Sequence, residues 1–284
     1  MGLRFASTYT PLYPPNPANE ESWTDPNTEK VWYYFDEGGW IESDPYWNNV
    51  ALLLHLDGAE GSTVFTDSSV NNLVPTQVSA ATDITTQWSR YGTGSLNASE
   101  VAGVEELLGA GLTYRSAPEL NFNGGDFTVE FFLNFSFPDG VYEGDSVPFF
   151  IADLTIVQAV SLSLNYNDSG NLGLFSSVGD GVVPLVGSSV APTQGSWQHY
   201  AVVKNADTIT LYLDGVSVCS GLYPSGFSSS DTIYLGMLEA FPTPGRGIFM
   251  DEVRVTMGVA RYTSNFSPPT EPFPDFQGSL ALID

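Results

Sequence analysis

The sequence predicts an all-β fold, an antiparallel two-sheet sandwich reached through an extended N-terminal arm and a small aromatic β-unit. Two features carry that expectation. From Val50 onward, short runs alternate apolar and polar residues between clusters of turn formers, and no long stretch repeats at the helical period. The 28 glycines and 19 prolines among 284 residues supply the turns that many short strands need. Antiparallel strands with one buried face explain the alternation better than parallel strands, which read as continuous apolar runs. The expected boundaries give a docking segment at 1–48, the sandwich at 49–275 and a C-terminal tail at 276–284.

The elements follow in order. Residues 1–21 are polar and proline-rich, with Pro11, Pro14, Pro15 and Pro17. Each proline removes an amide donor and fixes an extended backbone, so this stretch is a strap rather than a core element. In the run WTDPNTEKVWYYFDEGGWIE at 23–42, Asp-Pro-Asn and Asp-Glu-Gly-Gly mark turns between three very short aromatic strands. A unit that small is not stable alone and must pack on something larger. Tyr9, Tyr13, Trp23, Trp32, Tyr34 and Trp40 are its expected docking residues. The apolar alternations then run over 51–56, 127–135, 156–164, 200–204, 208–213, 232–235 and 248–255. Asp214-Gly215 supplies the positive-φ pair of a two-residue hairpin. Trp197 and Phe127 open strands where a large ring plugs the space between sheets. Glu252 and Arg254, two apart on one strand, are expected to share a face and form a pair that orients the closing strand.

Composition narrows the partners. Eight basic residues stand against 33 acidic ones, a formal net charge of -25. Such a surface repels phosphate backbones, so no nucleic acid is expected. No stretch approaches the roughly 20 apolar residues that span a bilayer, and residues 1–15 lack a continuous apolar signal region, so neither membrane insertion nor a secretory signal is expected. The single cysteine, Cys219, lies in an apolar alternating run and reads as a core residue, which leaves no internal disulfide.

Five segments resemble, in order and spacing, the laminin-G-like branch of the concanavalin A-like lectin jelly rolls. They are VALLLHLDG at 50–58 followed by FTDSS at 65–69, DFTVEFF at 126–132, GSWQHYAVV at 195–203, TITLYLDG at 208–215, and YLG at 234–236 with FMDEVRV at 249–255. The closing GVARYTSNFSPPT at 258–270 and the aromatic unit at 23–42 are similar to segments of bacteriophage structural proteins. The resemblance implies a jelly-roll sandwich over about residues 50–275.

Glycosidases of related folds need two carboxylates flanking the scissile bond, which the related glucanases carry as E-x-D-x-x-E on one strand. No such run occurs here, so no catalytic residues and no enzymatic activity are expected. His55 and His199 are embedded in strands and read as structural; no His/Cys spacing suggests zinc and no glycine-rich loop cradles phosphate. Laminin-G-like domains often hold calcium at a sandwich rim, which implies Ca2+ on Asp57, Asp67, Asn71 and Asp251; the alternative is that these are ordinary Asx turns. A glycan site would place loop aromatics against sugar faces, with Tyr114, Tyr142, Tyr166 and Tyr223 as candidates.

The expected function is a non-enzymatic structural protein of a bacteriophage virion, a capsid decoration or tail-fibre appendage docked by its N-terminal arm on other virion proteins. The alternative is a glycan-binding adhesin of a tail fibre, recognising a cell-surface glycan. Either implies the virion surface and a homo-oligomer, for which a trimer is natural on a symmetric particle.

Overall fold

The computed structural model describes residues 15, 17–18, 21–26, 30–35, 39–77, 82–98, 110–115, 117–122, 125–136, 146–152, 161–166, 172–178, 181–187, 190–223, 232–239 and 247–275. The chain divides into two compact units, one of residues 1–48 and 269–284, the other of residues 49–268. Residues 269–275 thus group with the N-terminal segment rather than with the sandwich.

The first unit carries a three-stranded antiparallel sheet: β1 (Ser22–Thr24), β2 (Val31–Phe35) and β3 (Gly39–Glu42), in that order. Trp23 pairs with Trp32 and Tyr34 with Trp40, so the aromatic residues of the sequence pattern become cross-strand neighbours. The first turn closes through the Asp25 amide donating to Lys30 O at 2.9 Å. Asp44 is buried and accepts from the Tyr46 amide at 2.8 Å. Tyr9 and Tyr13, and the side chain of Trp40, lie outside the described residues.

The second unit is a sandwich of β4 (Val50–Leu54), β5 (Thr76–Gln77), β6 (Asp83–Thr85), β7 (Ser95–Asn97), β8 (Gly111–Tyr114), β9 (Phe127–Ser136), β10 (Ser146–Ala152), β11 (Ser161–Tyr166), β12 (Leu172–Val178), β13 (Gly181–Gly187), β14 (Gln198–Asn205), β15 (Thr208–Leu213), β16 (Val216–Leu222), β17 (Thr232–Glu239) and β18 (Gly247–Met257). The back sheet runs β13-β12-β11-β10-β17-β8-β5 and the front sheet β16-β15-β14-β9-β18-β7-β6, with β4 also pairing with β18. Every pairing is antiparallel. No helix is long and apolar enough to cross a membrane among the described residues.

One core lies between the sheets. Phe127, Val129, Phe131, Leu133 and Phe135 of β9 face Leu112, Ile151, Leu174, Ile233 and Leu235 of the back sheet. Tyr200 rather than Trp197 is the large ring that fills the centre, 6.0 Å from Phe131, whereas Trp197 precedes β14 and is only half-buried. Asp214 and Gly215 adopt φ of 49° and 76°, as the hairpin between β15 and β16 demands.

The front sheet is covered on its outer face as well. Thr128, Glu130, Phe132 and Asn134, the alternate residues of β9, are all buried. Residues 259–266 lie across that face: Tyr262 and Phe266 stack at 3.5 Å and 6° and pack on Ala201, Val203 and Tyr212. A second segment, 86–94, covers the neighbouring part of the same face.

Candidate functional site

Segment 86–94 (TQWSRYGTG) joins β6 to β7, and three acceptors from elsewhere in the sandwich fasten it. Glu60 accepts from the Thr86 amide at 2.6 Å and its hydroxyl at 2.7 Å. Asp251 accepts from the amides of Arg90 at 2.6 Å and Tyr91 at 3.1 Å. Asp57 accepts from the Thr93 amide, from its hydroxyl at 3.1 Å and from the Gly94 amide at 3.2 Å. Ser95 adds a hydroxyl bond to Trp88 O at 2.6 Å. A loop whose amides are held this way is preorganised.

What the loop presents is aromatic and cationic. The Trp88 ring is 40% exposed and stacks on Phe249 of β18 at 5.7 Å and 28°. Tyr91 meets Phe132 edge-on at 5.5 Å, and the exposed Arg90 guanidinium lies 4.9 Å from the Tyr91 centroid and 5.1 Å from Phe132. Neither Trp88 nor Arg90 was singled out from sequence. The signal available was an isolated Trp in a polar, glycine-punctuated turn, and nothing local separates such a residue from a core plug.

The four expected calcium ligands accept or donate hydrogen bonds within the sandwich. Asp57 and Asp251 come to the same loop, but their oxygens are engaged by its amides. Asp67 is buried and accepts from the amides of Leu53 at 3.0 Å, Ser69 at 2.9 Å and Leu73 at 2.8 Å. Asn71 donates to Ala51 O at 2.9 Å, so this pair fastens β4 to the loop after it. No cluster of three or more His, Cys, Asp or Glu able to hold a metal occurs among the described residues. Six to eight oxygens converging on one point are what calcium requires, and in this structure Asp57, Asp67 and Asp251 direct carboxylate oxygens at amide donors.

The tyrosine candidates are also redistributed. Tyr114 is not in a loop: it ends β8, is buried in the core, and its hydroxyl is pushed up by burial and then by the charge of Asp67. Tyr223 is half-buried and donates to Phe122 O at 3.1 Å, with Lys204 5.1 Å over its ring. Tyr166 ends β11, its side chain outside the described residues, as is all of Tyr142.

The closing strand departs from the expected Glu252–Arg254 pair. A bulge in β18 sets Asp251 opposite Phe132 but Arg254 opposite Glu130, with Glu252 at φ 51°. The extra residue breaks the alternation, so Glu252 accepts from His55 Nδ1 at 2.9 Å while Arg254 binds Glu130 through Nη2 at 2.8 Å. Glu130 also accepts from Tyr262 Oη at 2.8 Å and His199 Nε2 at 3.2 Å, with Arg261 at 3.7 Å. Burial pushes Glu130 upward, but Arg254, His199 and Arg261 together hold it well below the ordinary carboxylate range. Asp251 has amide donors without such a cation: burial, and then the charge of Glu252, push it up to about 8.

Comparison with known proteins agrees with this architecture. Residues 109–259 match the laminin-G-like family model described as the concanavalin A-like lectin/glucanases superfamily. No curated protein matches the sequence. Among solved structures, the binding domain of Paraclostridial Mosquitocidal Protein 1 is similar at a TM-score of 0.56 and 17% identity, covering 75% of this chain and 49% of that one. The binding domain of botulinum neurotoxin DC in complex with SialylT gives 0.54 and 11%, covering 81% and 50%. Domain 4 of AbnA, a GH43 extracellular arabinanase from Geobacillus stearothermophilus, in complex with arabinotriose, gives 0.53 and 16%, covering 74% and 93%. This chain spans about half the length of the toxin binding domains and nearly all of the arabinanase domain. Matched over more than half its length and folded as that match requires, the chain belongs to the concanavalin A-like lectin/glucanases superfamily, in its laminin-G-like branch.

Proposed function

We propose that this chain is a non-catalytic carbohydrate-recognition module whose contact surface is the 86–94 loop. The observation that carries the reading is Trp88: an exposed indole, backed by Phe249, in a loop whose amides are held by Glu60, Asp57 and Asp251. A rigid, exposed aromatic face is what stacks on the apolar face of a sugar ring, at little cost in conformational entropy. Gln87 and Ser89, both exposed beside it, carry amide and hydroxyl groups suited to sugar hydroxyls. The arabinanase domain, nearly all of which this chain matches, was solved with arabinotriose, and this supports a sugar as the ligand class. A glycan array probed with the full chain and with Trp88→Ala tests the reading. Hits lost in the variant support it; hits that survive unchanged move the site elsewhere.

A second reading concerns where the module is carried. We propose the surface of a bacteriophage particle, with the N-terminal segment docking on other virion proteins. The aromatic three-stranded sheet β1–β3 favours this, being too small to stand alone and similar in sequence to phage structural segments. Immunogold labelling of intact particles would place the protein on head or tail, and particles without label would remove this reading while leaving the sugar site untouched.

A further inference from the structure

We propose that the sugar recognised at the Trp88 loop carries a carboxylate, and that Arg90 reads it; this rests on the carbohydrate reading above. The chain has 8 basic and 33 acidic residues, and its described cations differ in setting: Arg115 is exposed just past β8, outside the 86–94 loop. Arg254 and Arg261 face the buried Glu130, and Lys204 donates to Gly125 O while lying over Tyr223. Arg90 differs. It is exposed, it forms no ion pair among the described residues, and its guanidinium rests on Tyr91 and Phe132.

That packing fixes how Arg90 acts. A guanidinium about 5 Å from two aromatic centroids is held beside the rings while its planar fork of N–H donors remains intact. The fork matches a carboxylate with two parallel hydrogen bonds, a geometry an ammonium cannot reproduce. Its backbone is pinned in turn, since the Arg90 amide donates to Asp251 at 2.6 Å.

The distance to the aromatic platform is set by the sheet beneath. Trp88 stands on Phe249 and Arg90 on Phe132. Phe249 pairs with Asn134 and Asp251 with Phe132, so Phe249 and Phe132 are diagonal neighbours on the outer face. Diagonal neighbours in an antiparallel pair lie about 7–8 Å apart. One ring stacked on Trp88 therefore brings a substituent carboxylate within reach of Arg90. The net negative charge opposes any anion at long range, but charges beyond a Debye length, about 10 Å at 0.1 M salt, are screened. At contact the local cation decides.

The test compares matched probes on the full chain by calorimetry: 3′-sialyllactose against lactose, and trigalacturonate against its methyl ester. The acidic member of at least one pair binds roughly tenfold or more tighter, the worth of a charge-assisted bond. Arg90→Gln removes that preference while circular dichroism stays unchanged, and Arg90→Lys restores only part of it. Equal binding within both pairs, or a preference that survives in Arg90→Gln, overturns the carboxylate inference and leaves the Trp88 platform standing. Neutral array hits that depend on Trp88, with neither acidic probe bound, do the same. Absence of any sugar binding removes both readings.

Discussion

The 86–94 loop and the 259–266 strap lie on one face of the front sheet, and a buried carboxylate fastens each. Asp251 meets the loop with backbone amides alone, at 2.6 and 3.1 Å. Glu130 meets the strap through Tyr262 and Arg261, while Arg254 of β18 and His199 of β14 face it from the sheet. The first carboxylate is pushed up to about 8 and the second held far down. The contrast separates two tasks. Amide dipoles fix the position of a loop without compensating a charge, whereas guanidinium groups compensate the charge and make the carboxylate's removal costly.

The sharpest break of this comparison is Glu130→Gln. It leaves Arg254 buried beside a neutral amide and should lower stability by about 3–5 kcal/mol in a denaturant titration. Asp251→Asn, which weakens acceptors for neutral amides, should cost less, about 1–3 kcal/mol. Equal losses in the two variants would erase the distinction.

Gly215→Ala comes next, at about 1–3 kcal/mol. Gly215 sits at φ 76°, its added methyl would collide with Phe266 O, and its own carbonyl accepts the Phe266 amide at 2.9 Å. Hydrogen exchange should quicken around 262–266 and stay unchanged at 90–94; a change in both would couple the two coverings.

The pH dependence sharpens the contrast further. Glu130 is depressed in the fold, so its contribution is present above the unfolded value near 4.5 and is lost as pH falls through that value and below. Asp251 is raised, so the fold binds a proton that the unfolded chain releases between 3.8 and about 8. Its contribution therefore declines as pH rises through that window. Melting temperature should climb out of acid, then slope downward toward pH 8, and Asp251→Asn should flatten the downward limb alone. The smallest effect expected is that of a chelator: with Asp57, Asp67 and Asp251 engaged by amides, excess EDTA should leave the melting curve where it was.

Much of the fold was legible because strand patterns are local. DFTVEFF and TITLYLDG place β9 and the β15–β16 hairpin, whose φ angles follow from Asp214-Gly215. What was not legible depended on partners far along the chain. The Glu252–Arg254 pairing failed because a bulge, invisible in alternation, turned one residue aside. Tyr114 was expected in a loop, yet Gly111–Tyr114 is a strand whose pairing with β17 buries it. The acidic residues looked like ligands for an ion, and only the positions of the 86–94 and 67–73 amides reveal what they hold. Trp88 could not be told from a core residue without the face on which it lands.

Strand β18 sits among β9, β7 and β4, and His55, one residue past β4, meets its partner 197 positions later. The first strand of the sandwich, fastened locally by the loop after it, therefore has no strand partner among the described residues until β18 has left the ribosome. Contacts of such sequence separation make folding slow, and the waiting chain exposes strand edges meanwhile. This sandwich cannot close until its last strand has been made. Its yield in a cell should follow chaperone supply and growth temperature more closely than its equilibrium stability would suggest.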